Sequence, residues 1–454
     1  MPDVIIIGTG QAGVPLATRL AAAGRRVLVV ERSNPGGTCV NYGCTPTKAM
    51  IASARAAHVA RTAGRLGVHT GEVNVDFHAI IERKTKVVNQ WREGVVKRLH
   101  GSDRIEVLTG HARFVGPHSI DVAGARHAAD TIIVNVGARH AVPKIDGLDC
   151  VPWLDSHRVM ELTELPRHLV VIGAGYVACE FAQMFRRFGS EVTIIGKSAH
   201  LLSREDEDIS KALEDAFRSE DIRLELGKST TAVARDGEGV RIECTDRTEV
   251  RGTHLLVATG RRPNTDDLGC EAAGIALDAR GYIQVDDAYE TSVQGVYAVG
   301  DATPQPQFTH TSWDDHRLLF DRLMGHKARA RSERIIPYAV FTDPQVAGVG
   351  LSEKEARDRN IQYEVATMPF GRIARAIEID ETAGAMKVLF DPRTDRVLGA
   401  RLVGADAGEL IHIFVTLMQA NASVRAIVDA EFVHPTFAEG VQSLVMKSPR
   451  YALQ

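Results

Sequence analysis

The sequence is poor in cysteine, has no long hydrophobic run, and carries no excess of charge of one sign. Six cysteines in 454 residues are too few for a disulfide scaffold, so the cores must come from burial, and in a reducing cytosol any disulfide would be catalytic. Cys150, Cys179, Cys244 and Cys270 are scattered, and none shares a metal-ligand spacing with another cysteine or a histidine. They are expected to be plain core or surface thiols, and no resident metal is expected. The apolar runs fall far short of a membrane span, and the chain enters a strand at Val4 to Ile7 without a charged leader or cleavage site. With 54 basic and 58 acidic residues interspersed, the net charge of -4 argues against nucleic acid or an anionic membrane as partner. The expectation is a cytoplasmic protein of two or three domains, each burying its own core.

What is present begins with "VIIIGTGQAGVPLATRLAAAGRRVLVVE": an apolar strand, Gly8-x-Gly10-x-x-Gly13, an alanine-rich helix, a second strand, and Glu31 at its end. A lone glycine triplet is common in α/β proteins, but the strand, helix and terminal acid make this a dinucleotide-binding unit. Its glycines admit a pyrophosphate to a helix N-terminus and its acid meets a ribose. "LVVIGAGYVACEFAQMFRRFGSEVTIIGK" repeats the pattern as Gly173, Gly175 and Ala178, with Gly173 165 positions after Gly8. The chain therefore carries two nucleotide sites. In register, Gly196 stands where the first unit has Glu31, and Lys197 and Arg204 follow. An uncharged position flanked by cations suits a 2'-phosphate and hence NADPH, with NADH less favoured; the competing reading is that both cations are solvated loop charges.

A third segment, "TSVQGVYAVGDAT", is a strand ending at Gly300-Asp301, where an acid beside a tight turn could hold a polyol; an ordinary Gly-Asp turn is the alternative. "TIIVNVGARHAVP" and "HLLVATGRRPN", the latter with Gly260, each read as a strand running into a glycine turn between domains. From about Pro337 the pattern changes to strands in "GAMKVLFD" and "RVLGARLVG" and an amphipathic helix near Glu409 to Ala420, a separate α+β domain.

Together with "GGTCVNYGCTPTK" and "HPTFAE", these features resemble the class I flavoprotein disulfide reductases, the family of glutathione reductase, dihydrolipoamide dehydrogenase and mercuric reductase. The resemblance covers nearly the whole chain. It implies an α/β fold with two Rossmann-like domains and a C-terminal α+β dimerisation domain. The expected division is 1–145 with 265–332 for FAD, 146–264 for the nicotinamide coenzyme, and 333–454 for dimerisation. By that likeness Gly8, Gly10, Gly13, Glu31, Gly37, Thr38, Lys48 and Asp301 bind FAD, with the backbone near Ala112 at the adenine. Gly173, Gly175, Ala178, Lys197, Arg204 and Gly260 complete the cofactor sites, and Tyr176 is a movable lid over the flavin.

The cysteine stretch also has its own chemistry. Cys44 precedes Pro46, a good first-turn residue, so its sulfur is expected at a helix N-terminus, where the dipole favours a thiolate; Lys48 adds a charge four residues on. By resemblance Lys48 pairs with Glu180 beside the flavin. Cys39 is expected in the preceding loop, with Gly36, Gly37 and Gly43 supplying the bend a disulfide to Cys44 would need. The likeness makes Cys44 the flavin-facing thiolate and Cys39 the interchange thiol. His434 is the candidate base, fixed by Glu439; the resemblance implies that this dyad reaches the cysteines of the other subunit of a homodimer with shared active sites.

The acceptor is least legible. The tail "KSPRYALQ" lacks the cysteine pair of large thioredoxin reductases and mercuric reductases, and no N-terminal metal-binding domain is seen. Gly196 counts against a dihydrolipoamide dehydrogenase, and "FTHTSWDDHRLL" most resembles the mercuric-reductase-like and reactive-chlorine-resistance branches. The expected function is an NADPH-dependent, FAD-containing dithiol oxidoreductase acting on a metal ion or small disulfide. A lipoamide-dehydrogenase-like subunit of a multienzyme complex and a flavin oxidase needing no dithiol are the alternatives.

Overall fold

Runs such as "VIII", "VLVVE" and "TIIV" leave no polar face, so they belong in a sheet covered on both sides. The computed structural model, which describes residues 1–451, places them there; the last three residues of the quoted tail lie outside the described residues. A five-stranded parallel sheet runs in the spatial order Val296–Ala298, Thr131–Val134, Val4–Ile7, Val27–Glu31, Ile105–Thr109. Alternate residues serve opposite faces: Val4, Ile6, Val27 and Val29 pack with Leu16 and Leu20 of the helix Gly13–Ala22, whereas Ile5, Ile7, Leu28 and Val30 pack with Phe114 and Ile120. The latter two belong to a three-stranded antiparallel sheet, Ala112–Gly116, Ser119–Val122 and Ala125–Ala128. These elements belong to one compact unit, Met1–Ala49 with Ala79–Ala141 and Gly260–Arg334.

The second unit comprises Met50–His78, Val142–Thr259 and the chain from Ile335 onward. It repeats the plan with a five-stranded parallel sheet ordered Arg223–Leu226, Glu191–Gly196, His168–Ile172, His254–Val257, Trp153–Leu154. The same unit contains an antiparallel five-stranded sheet in which the strands expected near residues 385 and 397 are Ala385–Phe390 and Val397–Gly404. Phe414 of the helix Ala407–Gln419 and Leu444 of the helix Phe437–Val445 are buried in its core. The first of these helices starts two residues before the expected Glu409 and ends one before Ala420. No described helix is long and apolar enough to cross a membrane.

One local expectation is corrected. Cys39 lies not in a loop but in a short helix, Gly37–Asn41. The side-chain amide of Asn41 donates to the carbonyls of Pro35 and Gly37, both at 3.0 Å, and so fastens a turn too short to hold itself.

Candidate active site

In the first unit the strand Val4–Ile7 ends with Gly8 N–H donating to Val30 C=O at 2.8 Å, which sets Gly8 beside Glu31. The buried Glu31 carboxylate accepts from the Thr9 hydroxyl and, at 2.9 Å each, from the N–H groups of Thr9 and Ser33. An ionised carboxylate accepts about four hydrogen bonds, so capacity remains for a ribose hydroxyl. Thr9 Oγ1 also accepts from Gly36 N–H at 3.1 Å, coupling the acid to the start of the cysteine segment. Asn135 is a second tie: its Oδ1 accepts from Gly13 N–H at 2.9 Å, and its amide donates to Val299 C=O at 3.4 Å.

Gly37 has φ +63°, and a Cβ there would stand 2.9 Å from Gly10 Cα. The backbones of the fingerprint turn and the cysteine segment therefore touch, leaving main chain rather than side chains beside the N-terminus of the helix Gly13–Ala22. Such a surface fits a pyrophosphate. Thr38 shares the short helix with Cys39; Ala112 is buried at the start of its strand; Gly260 lies at φ +134°, directly before the strand Arg261–Pro263. Asp301 sits in a turn of 3-10 helix, Gly300–Ala302, and pairs with Arg261 at 3.1 Å. Burial pushes the Asp301 carboxyl up, against the pull of Arg261.

Cys44 opens the helix Cys44–Thr62, which also carries Lys48. Its Sγ lies 3.0 Å from Thr309 Oγ1, at the start of the helix Thr309–Leu323. Cys39 and Cys44 are both partly buried and in the thiol, not the disulfide, form. The Cys39 thiol is pushed up, first by its hydrogen bond to Cys44, then by burial and the charge of Cys44; Thr309 and Lys48 act the other way. The two sulfurs are thus unequal in surroundings, Cys39 being the one held toward its protonated form.

In the second unit Gly173 N–H donates to Ile195 C=O at 2.9 Å, repeating the first register, so Gly196 does occupy the position of Glu31. It is also a packing requirement: a Cβ on Gly196 would lie 2.7 Å from Ala174 Cβ and 3.0 Å from a Leu226 methyl. Lys197 and Arg204 are exposed just beyond the strand. The helix Tyr176–Phe188 follows Gly175; Tyr176 is 37% exposed and Ala178 is fully buried. Tyr176, Glu180, Gln183 and Arg187 fall on one helix face. Glu180, 4% exposed, accepts from Phe341 N–H at 2.9 Å; Gln183 accepts from Asp343 N–H at 2.8 Å and donates to its carbonyl at 2.6 Å; Arg187 meets the Asp343 carboxylate at 2.7 Å.

His434 Nδ1 lies 2.9 Å from Glu439 Oε2 and 3.1 Å from Oε1, with the imidazole side chain 68% exposed. Thr436 caps the helix Phe437–Val445, accepting from Glu439 N–H at 3.2 Å while Glu439 accepts from Thr436 N–H at 3.4 Å. Glu439 therefore closes a capping box and orients His434 with the same carboxylate. The string Thr-x-x-Glu before an apolar run carried that signal.

Residues 2–315 match the family description "Pyridine nucleotide-disulphide oxidoreductase", and residues 336–445 match its dimerisation domain. The chain belongs to the pyridine nucleotide-disulphide oxidoreductase family. It is a disulfide oxidoreductase that works with a flavin and a nicotinamide coenzyme. It is 36% identical over 450 residues to a probable pyridine nucleotide-disulfide oxidoreductase, RclA of Escherichia coli (strain K12), covering 97% of this chain and 98% of that one. It is 32% identical over 447 residues to a mercuric reductase of Bacillus cereus, covering 98% of this chain and 71% of the relative. The solved Cu(II) complex of the HOCl-induced flavoprotein disulfide reductase RclA from Escherichia coli superposes with a TM-score of 0.89 at 35% identity, covering 98% of each chain.

The second match makes the C-terminal part of the chain the family's dimerisation domain. Within the first unit the structure brings together the fingerprint, Glu31, the thiols and Asp301; Gly173, Glu180, the two cations and the His434–Glu439 pair belong to the second. Sequence reasoning missed Thr9, Asn135, Arg261, Thr309 and Gln183. All five lie in the stretches quoted above, Thr9 between two fingerprint glycines and Arg261 beside Gly260, but their local spacing does not show which distant group each one meets.

Proposed function

We propose that this chain is a cytoplasmic, NADPH-dependent, FAD-containing dithiol oxidoreductase, acting as a homodimer on a metal ion or a small disulfide. The carrying observation is the inequality of the two thiols: Cys44 sits at a helix N-terminus with a hydroxyl 3.0 Å from its sulfur, while Cys39 is pushed toward its protonated form. The names of the mercuric reductase relative and of the Cu(II) complex favour the metal-ion arm.

Bound FAD would accept a hydride from the reduced nicotinamide and pass the electron pair to a Cys39–Cys44 disulfide. The chain's residues arrange that traffic. Glycines 8, 10 and 13, Gly37, Thr38, Glu31, Ala112 and Asp301 hold the flavin nucleotide; Gly173, Gly175, Ala178, Gly260, Lys197 and Arg204 hold the coenzyme, the cations on its 2'-phosphate. Tyr176 is the movable lid over the flavin, and Lys48 with Glu180 orients the reacting ring. Cys44 keeps the charge, so Cys39 is the sulfur that must lose a proton before attacking a disulfide. His434 of the partner subunit takes that proton, held in one tautomer by Glu439. The three-part division at 145, 264 and 332 follows from these roles.

An anaerobic panel tests the proposal: NADPH oxidation is followed with mercuric ion, cupric ion, lipoamide, glutathione disulfide and other small disulfides. Turnover with at least one metal ion or small disulfide, abolished in Cys39→Ser, is expected. No acceptor reduced in the panel, with oxygen consumption in a parallel aerobic assay that survives loss of Cys39, would overturn it in favour of an oxidase.

A further inference from the structure

The stretch "FTHTSWDDHRLL" also contains an acid that the redox chemistry leaves unused. Asp315 on the helix Thr309–Leu323 is fully buried. Its Oδ2 accepts from Gly300 N–H at 2.6 Å and from the Gln305 amide at 2.7 Å; its Oδ1 meets Arg334 Nη1 at 2.6 Å. The Arg334 side chain is 3% exposed, and its other terminal nitrogen donates to Gln305 Oε1 at 2.6 Å. Gln305 also donates to Gly300 C=O at 3.1 Å. Aspartate, glutamine and arginine thus close a hydrogen-bonded ring around both polar groups of Gly300, the residue before Asp301.

That glycine needs an external hold. It lies at φ +69°, and its N–H points into the interior, where an unpaired donor is costly. The strand Val296–Ala298 ends two residues before it, and the last bond to the sheet, from Val299 N–H to Val134 C=O at 3.0 Å, stops one residue short of the turn. Asp315 pairs with Arg334 and Asp301 with Arg261, while Arg331 adds a cation that donates to Thr303 Oγ1 at 3.3 Å and to Gln305 Oε1 at 3.4 Å; Asp315 still contributes to the upward push on Asp301.

We propose that Asp315, held by Arg334, is the positioning residue of the flavin-binding turn: its carboxylate fixes Gly300 and thereby aims Asp301 at the polyol chain of the flavin. This rests on the reading of Asp301 given above. The ring lies within a single unit of the chain and touches neither thiol among the hydrogen bonds of its members. Its disruption should therefore loosen flavin without altering the order of the two sulfurs.

The test measures flavin release from purified holoenzyme on dilution, by the rise in free-flavin fluorescence, with far-UV circular dichroism and oligomer size as folding checks. Asp315→Asn keeps the shape and removes the charge. Because it also strands the Arg334 guanidinium and can impair folding, the double variant Asp315→Leu/Arg334→Met is measured beside it, replacing the pair by apolar volume. Both are expected to fold and to bind FAD about 10- to 100-fold more weakly, the loss of a charge-assisted hydrogen bond. Asp301→Asn is the control. If it weakens FAD and the Asp315 variants do not, the positioning role is overturned while the reading of Asp301 stands. If Asp301→Asn itself leaves FAD unaffected, that reading fails and the inference fails with it. If neither Asp315 variant yields folded protein, the pair is a folding determinant and the assignment is overturned.

Discussion

The hydroxyl of Thr309 lies 3.0 Å from the sulfur of Cys44, 265 positions away in the chain, and it also acts on Cys39. A hydroxyl in this place donates to whichever sulfur carries charge. It thereby adds to the helix N-terminus of Cys44–Thr62 in favouring a thiolate on Cys44.

Thr309→Val should therefore move Cys44 alkylation to higher pH and slow it several-fold at pH 7, with Thr309→Ser restoring most of the rate. Iodoacetamide labelling of the reduced protein, read by peptide mass, measures this directly. Equal rates in the valine and threonine proteins would remove Thr309 from the redox site.

The order of the sulfurs has an optical consequence. A thiolate against a flavin gives a long-wavelength absorbance band, so Cys39→Ser should show that band without reductant and Cys44→Ser should lack it under all conditions. A band in the Cys44 variant would reverse the assignment.

For coenzyme choice, the packing of Gly196 alters which experiment is informative. Because a Cβ there would collide with Ala174, Gly196→Glu should disturb the fingerprint turn and weaken both coenzymes instead of exchanging one for the other. Lys197→Ala with Arg204→Ala should lower the NADPH-to-NADH ratio of kcat/KM by about tenfold or more, the worth of a charge-assisted phosphate contact. A ratio near one in the unmodified protein would exclude the 2'-phosphate role.

His434→Ala should lower disulfide turnover by on the order of 10² to 10⁴ while sparing NADPH-to-flavin reduction, and should hurt metal reduction less, since thiolate ligation needs no protonated leaving thiol. Mixing Cys39→Ser with His434→Ala subunits should restore activity on subunit exchange if the sites are shared. The capping box separates the two duties of Glu439: Thr436→Ala should cost about 1 kcal/mol of helix stability with little change in kcat, whereas Glu439→Gln should lower kcat with little change in stability. Stopped-flow flavin reduction, steady-state turnover and urea unfolding resolve these effects.

Acid sensitivity should come partly from His316. Burial, with Arg19 and Arg317 nearby and Asp314 opposing them, lowers it from 6.5 to about 4. The unfolded chain thus binds a proton between those values that the native state refuses. The contribution is fully present above pH 6.5 and is lost as pH falls toward 4. His316→Leu should flatten the fall in melting temperature between pH 7 and pH 5; an unchanged slope would contradict it.

Both strand–turn–helix fingerprints, the shared register of Glu31 and Gly196, and the pairing of His434 with Glu439 were legible in the sequence, because each lies in a short stretch set by local spacing and backbone preference. The strand Val4–Ile7 could be read to the residue, since an unbroken apolar run admits only a fully covered strand. Cys39 was misplaced because its helix depends on side-chain bonds from Asn41, which spacing alone does not reveal. The residues that tension the site were decided only by the tertiary structure: Asn135 on Gly13, Thr309 on Cys44, Asp315 on Gly300, Gln183 on Asp343. Gly196 shows the same division at one position. Its register was readable as a missing acid, but the collision with Ala174 and Leu226 that demands glycine exists only once the parallel strands Glu191–Gly196 and Arg223–Leu226 lie side by side. Such contacts join parts of the chain that strand order brings together, and a short-range pattern contains no record of that order.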